Sequence, residues 1–227
     1  MDLKLGIGIP LVNRLIDREF FLTFSAMEKP PFILYGPQQE VSSFPKDFAV
    51  VRNSLVLQAL EDDCSHLIMI DTDQTYPIDT IKKLLSHDVD VVGPVIHRRY
   101  PPFAPIMLRG EISKYQYVPY DEMYSNELVE VDATGTGCLC FNMDVFKLMQ
   151  PPWFEIYDAE DGSPVGEDIR FCSKLRSAGF KIFIDTSIDV GHMATFVIDR
   201  AFYSLTRKMW PEKTGAEGPK QERTMEK

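Results

Sequence analysis

Leu67-Ile68-Met69-Ile70-Asp71-Thr72-Asp73 is the stretch on which the reading of this chain turns. Four apolar residues of β-strand character run directly into two carboxylates spaced i, i+2. Residues at that spacing point to the same side of a strand. Both acids therefore gather at the carboxyl edge of a buried strand, where open α/β sheets bind ligands. Paired hard-oxygen donors of this kind hold Mg2+ or Mn2+, and the metal in turn holds a phosphate. Asp-x-Asp alone is commonplace in acidic chains, so its surroundings decide its meaning.

Working outward from His66–Ile70, strand and helix patterns alternate. On the N-terminal side lies a helix over Asp47–Leu60, with Phe48, Val51, Leu55, Val56, Ala59 and Leu60 on its apolar face. Before it come a short strand, Phe32–Tyr35, and a helix over Arg14–Ala26 broken by Pro30-Pro31. The opening strand, Leu3–Ile9, is closed by Pro10. Its Gly6-x-Gly8 is no dinucleotide fingerprint, because the glycines lie within the strand and no third one follows. On the C-terminal side Pro77 starts a helix with Ile81, Leu84 and Leu85 facing inward, and Val89–Val95 is a further strand. This alternation predicts an α/β fold with a mainly parallel, Rossmann-like central sheet, helices on both faces and a small antiparallel edge.

After Ile96 the pattern changes. Residues 97–130 are rich in Pro, Tyr and charge, and read as loops and antiparallel edge strands around Ile106–Leu108 and Tyr115–Val118. Leu128–Asn142 is a strand pair or long strand broken at Gly135-Thr136-Gly137. A short helix, Asp144–Met149, ends at Pro151-Pro152. Glu167–Ala178 is a clear helix, with Gly179 as its C′ residue. Strands follow at Lys181–Asp185 and Asp189–His192, then an amphipathic helix at Val197–Met209. Residues 1–211 form one domain in this reading. Residues 212–227, polar and without aromatics, form a disordered tail.

The chain has 227 residues, 44% of them hydrophobic, enough for a sizeable core. Its net charge of −10 argues against nucleic-acid partners, which need a basic field. A metal–nucleotide ligand remains compatible, because the metal carries the positive charge. The four cysteines, Cys64, Cys138, Cys140 and Cys172, have no zinc-type spacing and read as buried reduced thiols. With no apolar leader after Met1 and no 18-residue apolar window, the expected setting is cytoplasmic, without a transmembrane segment.

Three features sit at compatible places: Asp71-Thr72-Asp73 after a strand, Gly166-Glu167-Asp168 at a helix start, and Gly191-His192 after the following strand. Together, over roughly residues 3–195, they resemble the GT-A type of nucleotide-sugar glycosyltransferase, in the manner of glycosyltransferase family 2. The resemblance implies a divalent metal, Mn2+ or Mg2+, held by Asp71, Asp73 and His192. Asp73 is the firmer ligand, and Asp71 serves the ribose or a metal-bound water. It implies Asp168 as catalytic base, with Glu167 sharing that role or binding acceptor hydroxyls, and an inverting outcome. Pro10 resembles the strand end that meets the nucleobase. Arg52-Asn53 resembles the pair facing donor ribose or phosphate, and Gly135-Thr136-Gly137 the small-residue segment beside the donor sugar. Thr72 joins this donor set. From their chemistry, Arg98 of His97-Arg98-Arg99 is a phosphate or sugar clamp, and Trp153 a stacking platform for an acceptor sugar. The expected donor is a UDP- or GDP-sugar. The acceptor, whether glycan, small molecule or protein, and the oligomeric state stay open.

Two other readings use the same residues. Asp71-Thr72-Asp73-Gln74-Thr75 also fits the signature of haloacid-dehalogenase-like phosphatases, with Asp71 as covalent nucleophile. That fold opens with this strand, whereas here a strand–helix–strand–helix block precedes it. The other alternative is an inactive module that binds nucleotide sugars. A nucleotidyltransferase would need a Gly-rich basic loop after the first strand, and Pro10-Leu11-Val12-Asn13 offers none.

Overall fold

A computed structural model describes residues 3–11, 15–37, 45–112, 114–159, 162 and 164–206. In chain order the elements are β1 (Leu5–Gly8), α1 (Arg18–Ala26), β2 (Phe32–Tyr35), α2 (Pro45–Glu61), β3 (His66–Ile70), β4 (Gln74–Thr75), α3 (Thr80–Ser86) and β5 (Val91–Ile96). There follow β6 (Leu108–Arg109), β7 (Gln116–Tyr117), α4 (Tyr120–Met123), β8 (Leu128–Val131), β9 (Cys138–Asn142) and α5 (Asp144–Leu148). The last are β10 (Tyr157–Asp158), β11 (Pro164–Val165), α6 (Glu167–Ser177), β12 (Ile182–His192) and α7 (Arg200–Thr206). One compact unit runs to Met193, and a second begins at Ala194 and contains α7. The expected tail, residues 212–227, lies outside the described residues.

The main sheet has the order β2-β1-β3-β9-β5-β12-β4, with β8 also paired to β12. Side-chain alternation splits its core in two. Leu67 and Met69 of β3 join one cluster with Val51 and Leu55 of α2 and Phe171 and Leu175 of α6. Ile68 and Ile70 join the other, with Phe20 of α1 and Ile81 and Leu84 of α3. All four β3 residues are fully buried, each contributing about 1.5–3 kcal/mol of hydrophobic stabilisation. That burial fixes the strand whose end carries Asp71. Gly8 is a packing residue: a Cβ there would lie 3.1 Å from Leu55 Cδ1, so its absence lets α2 lie close on β1.

Pairing of β1 with β2 and β3, and of β5 with β12, is parallel, as expected. The antiparallel element is not confined to an edge, however. β9 lies between β3 and β5, antiparallel to both, instead of forming a hairpin with β8. The reason is legible in its side chains: Leu139 and Phe141 bury on one face, Cys138 and Cys140 on the other. A strand apolar on both faces belongs in the middle of a sheet. β8 alternates exposed and buried, which suits an edge.

The strands expected at 181–185 and 189–192 are one strand, β12, with a register shift between Asp185 and Asp189. Before the shift Ile182 and Ile184 face the α2 side, and after it Ile188 and Val190 face the other. The helix expected from Arg14 begins at Arg18. That expected from Pro77 begins at Thr80, whose N–H and hydroxyl both donate to the Pro77 carbonyl. No helix among the described residues is long and apolar enough to cross a membrane.

Candidate functional site

A cavity of about 460 Å³ opens at the carboxyl ends of β1 and β3. Pro10, Arg52, Asp71, Thr72, Asp73, Gly135, Thr136, Gly137, Glu167, Asp168 and His192 all line it. Three pairings assemble these distant residues. β3 runs beside β9, so the Asp71 N–H donates to the Gly137 carbonyl at 2.7 Å. Glycine suits the approach: a Cβ on Gly137 would meet Gln74 Nε2 at 2.2 Å, and the Gln74 amide would have to move. The end of β12 pairs with β4, setting His192 opposite Gln74 and next to Asp73. α6 begins at Glu167, so its first turn presents both acids to the cavity.

Arg52 is the strut of the site. It is 3% exposed, and its Nη2 donates to both Asp71 oxygens at 3.1 and 3.2 Å. Nη1 donates to the Thr136 carbonyl at 3.3 Å, and Nε lies 3.7 Å from Glu167 Oε1. Burial opposes the charge on this guanidinium, but Asp71 and then Glu167 raise its pKa above the ordinary value. One side chain from α2 thus ties the β3 end, the small-residue segment and the α6 start together.

Asp73 stands apart from that strut. Its Oδ2 is 3.4 Å from His192 Nε2 and 2.8 Å from Arg99 Nη1. Burial works against its ionisation, but the His192 contact and Arg99 outweigh it and hold the carboxyl below the usual range. His192 Nδ1 donates to the His97 carbonyl at 2.6 Å. A carbonyl only accepts, so that bond fixes the tautomer and leaves Nε2 aimed at Asp73, the orientation that metal-binding imidazoles use. No group of three His, Cys, Asp or Glu among the described residues could cage a metal. Asp73 and His192 make a two-donor set that fits Mg2+ or Mn2+ completed by phosphate oxygens and water. Asp71, the third ligand expected from sequence, lines the same cavity and is held by Arg52 as Asp73 is held by Arg99.

Asp168 is the other unusual group. Burial, then the adjacent Glu167 charge, push its carboxyl up to about 6, although its Oδ1 accepts the Ile169 N–H at 2.7 Å. A carboxylate near that value accepts a proton from a hydroxyl better than an ordinary aspartate does.

Three residues expected here from sequence serve elsewhere. Asn53 does not line the cavity: its Oδ1 accepts the Trp153 and Phe154 N–H groups at 2.9 and 3.1 Å. Its Nδ2 donates to the Ala49 and Phe154 carbonyls. Asn53→Ala is therefore expected to lower stability by about 1–3 kcal/mol in chemical denaturation, without changing nucleotide affinity of the folded protein. Trp153 is no stacking platform. It is 4% exposed, its Nε1 donates to the Phe146 and Met149 carbonyls, and its ring packs edge-on against Phe146. Arg98 does not line the cavity; its neighbour Arg99 does. Sequence reading saw the basic cluster, but which arginine turns inward depends on how the chain leaves β5. Phe48 and Gln74 were also missed as cavity residues. Phe48, one turn before Arg52 on the same helix face, carried a signal for it. Gln74 is buried and accepts the Tyr76 hydroxyl at 3.0 Å.

No family model matches the sequence, and a search of curated proteins returns no match. Solved structures do match. GalNAc-T7, solved with UDP, GalNAc and Mn2+, aligns with TM-score 0.57 at 13% identity, over 86% of this chain and 44% of that one. A197 from STIV aligns with TM-score 0.53 at 16% identity, over 84% and 86%. S. aureus TarS 1-349, in complex with UDP-GlcNAc, aligns with TM-score 0.50 at 12% identity, over 91% and 65%. The chain thus spans less than two thirds of the GalNAc-T7 and TarS chains. At these identities the likeness concerns the fold, and that fold is GT-A.

Proposed function

We propose that this chain is a metal-dependent glycosyltransferase, moving a sugar from a UDP- or GDP-sugar to a hydroxyl acceptor. The observation that carries the reading is a single cavity at the strand ends that unites the Asp73–His192 pair with Asp168. Its charge supports the same reading. Among the described residues, five carboxylates (Asp17, Asp71, Asp73, Glu167, Asp168) face two guanidiniums, Arg52 and Arg99. Such a lining repels a bare diphosphate. Asp73 and His192 would hold Mg2+ or Mn2+, which would supply the missing positive charge and Lewis-acid chemistry toward a diphosphate.

The remaining work falls to the chain's own side chains. Pro10 and Phe48 offer apolar surface to a nucleobase. Gly135 and Gly137 keep one wall free of side chains beside the donor sugar. Asp168 takes the acceptor proton as the acceptor oxygen bonds to the anomeric carbon. The bond from that carbon to the diphosphate oxygen breaks with its electron pair, and a single displacement inverts the centre. Glu167, beside Arg52, faces the same cavity and raises the basicity of Asp168. A cytoplasmic setting accords with the four free, buried cysteines.

The test is nucleotide binding by calorimetry with Mn2+ and with chelator. Wild type is expected to bind UDP or GDP tightly only with Mn2+, and Asp73→Asn to lose that dependence. Undiminished Mn2+-dependent binding by the variant would overturn the metal assignment. Metal-dependent cleavage of the nucleotide sugar by the wild type separates an enzyme from an inactive binding module. The phosphatase reading is weaker. Both Asp71 oxygens are bonded to a buried guanidinium, and no lysine among the described residues lines the cavity.

A further inference from the structure

Asp168 and Ile106 line a second cavity as well, of about 420 Å³, whose walls include neither Asp73 nor His192. Its other walls are Leu108, Ile169, Tyr115, Tyr117 and Arg98. We propose that this cavity is the acceptor subsite and that it selects a sugar or polyol bearing a carboxylate or phosphate. The inference rests on the transferase reading above.

Its placement follows from Asp168. A base that deprotonates the acceptor hydroxyl must sit where acceptor and donor meet, and Asp168 is the titratable group common to both cavities. A volume of about 420 Å³ lies within the range of small-molecule sites. The apolar and aromatic walls suit the C–H face of a pyranose, which stacks on tyrosine rings. Those walls are preorganised. β6 and β7 form a hairpin with Leu108 opposite Tyr117, and the hairpin is pinned by the Leu108 N–H to the Ala133 carbonyl at 3.0 Å.

Selection for an anion follows from Arg98. The described arginines of the compact unit are Arg18, Arg52, Arg98, Arg99, Arg109, Arg170 and Arg176. All except Arg98 pair with a carboxylate. In a chain with 34 acidic and 24 basic residues, an arginine without an acidic partner among the described residues is conspicuous. Arg98 donates through Nη1 to the Tyr117 hydroxyl at 3.0 Å, which holds the guanidinium at the cavity wall. Its other guanidinium N–H groups have no acceptor among the described residues and can take a carboxylate or phosphate in forked geometry, which a neutral hydroxyl does not match. Consecutive residues thus deliver one arginine to each cavity, Arg99 to the donor and Arg98 to the acceptor.

The test is equilibrium binding to the full chain, with UDP and Mn2+ present. One pair of probes is p-nitrophenyl β-glucuronide against p-nitrophenyl β-glucoside; the other is glucose 6-phosphate against glucose. The two pairs distinguish carboxylate from phosphate. The anionic member of at least one pair is expected to bind at least about tenfold more tightly. Arg98→Gln should bring that ratio to about one, and Arg98→Glu should reverse it. Equal affinities within both pairs, or an unchanged ratio in Arg98→Gln, would overturn the proposal. So would failure of all four probes to bind while UDP still binds. Tight binding of an anionic probe that accepts no sugar when UDP is replaced by a UDP- or GDP-sugar would count against the transferase reading and leave the cleft's selectivity standing.

Discussion

Asp168→Asn is expected to keep Mn2+-dependent donor binding and to slow sugar transfer by about 10²–10⁴-fold, the range contributed by one positioned general base. The substitution preserves shape and the acceptor for the Ile169 N–H, and removes only the basic oxygen. In the wild type, transfer should fall as pH drops through about 6, where burial and Glu167 place the Asp168 carboxyl. The variant's residual rate should lack that inflection. Stability should move the other way. The folded-state value lies above the 3.8 of an ordinary aspartate, so the folded chain holds this proton more firmly than the unfolded one. The associated stability is present below about 4 and lost as pH rises through about 6, on the order of 3 kcal/mol in all. Asparagine stays neutral throughout, so the variant should melt higher than wild type above neutral pH. Near-normal turnover, or a lower melting temperature at pH 7.5, would refute a base held at a cost to the fold.

Arg52→Ala is expected to have the largest effect on the fold. Removal leaves Asp71 and Glu167 in a half-buried site without their cation and the Thr136 carbonyl without its donor. Breaking a buried pair from one side costs about 3–5 kcal/mol, so the melting temperature should fall by on the order of 10 °C. Donor affinity should fall with it, because Asp71 and the 135–137 segment lose their common anchor. Arg52→Lys should recover little, since a single ammonium cannot serve all three partners. A melting temperature within a degree or two of wild type, with normal UDP affinity, would show that Arg52 is no strut.

Much of this arrangement was legible in the linear chain. The apolar run of β3 ending in Asp71-Thr72-Asp73, and the acids at the start of α6, are local patterns. A strand buries its apolar residues and releases its acids at its end whatever surrounds it. Gly135 and Gly137 were legible as a small-residue segment. Their reason was not: Gly137 is small because β9 brings its backbone against Asp71 and Gln74. Asn53 and Trp153 were misplaced for one cause. Both residue types serve in ligand sites and in cores alike, and here Asn53 ties the Trp153 backbone to α2.

The α/β alternation, the strand that carries the paired acids and the helix that carries the candidate base are written in the linear chain. These follow from hydrophobic period and terminal chemistry, which act over a few residues. The partnerships come only with the folded molecule: Asp73 with His192, Asp71 with Arg52, and Arg99 rather than Arg98 at the strand-end cavity. Each joins residues from separate elements, and each depends on sheet order and register, chiefly the insertion of β9 beside β3 and the pairing of β12 with β4. Register is set by burial on both faces of the whole sheet, a collective property that no single stretch of the chain contains.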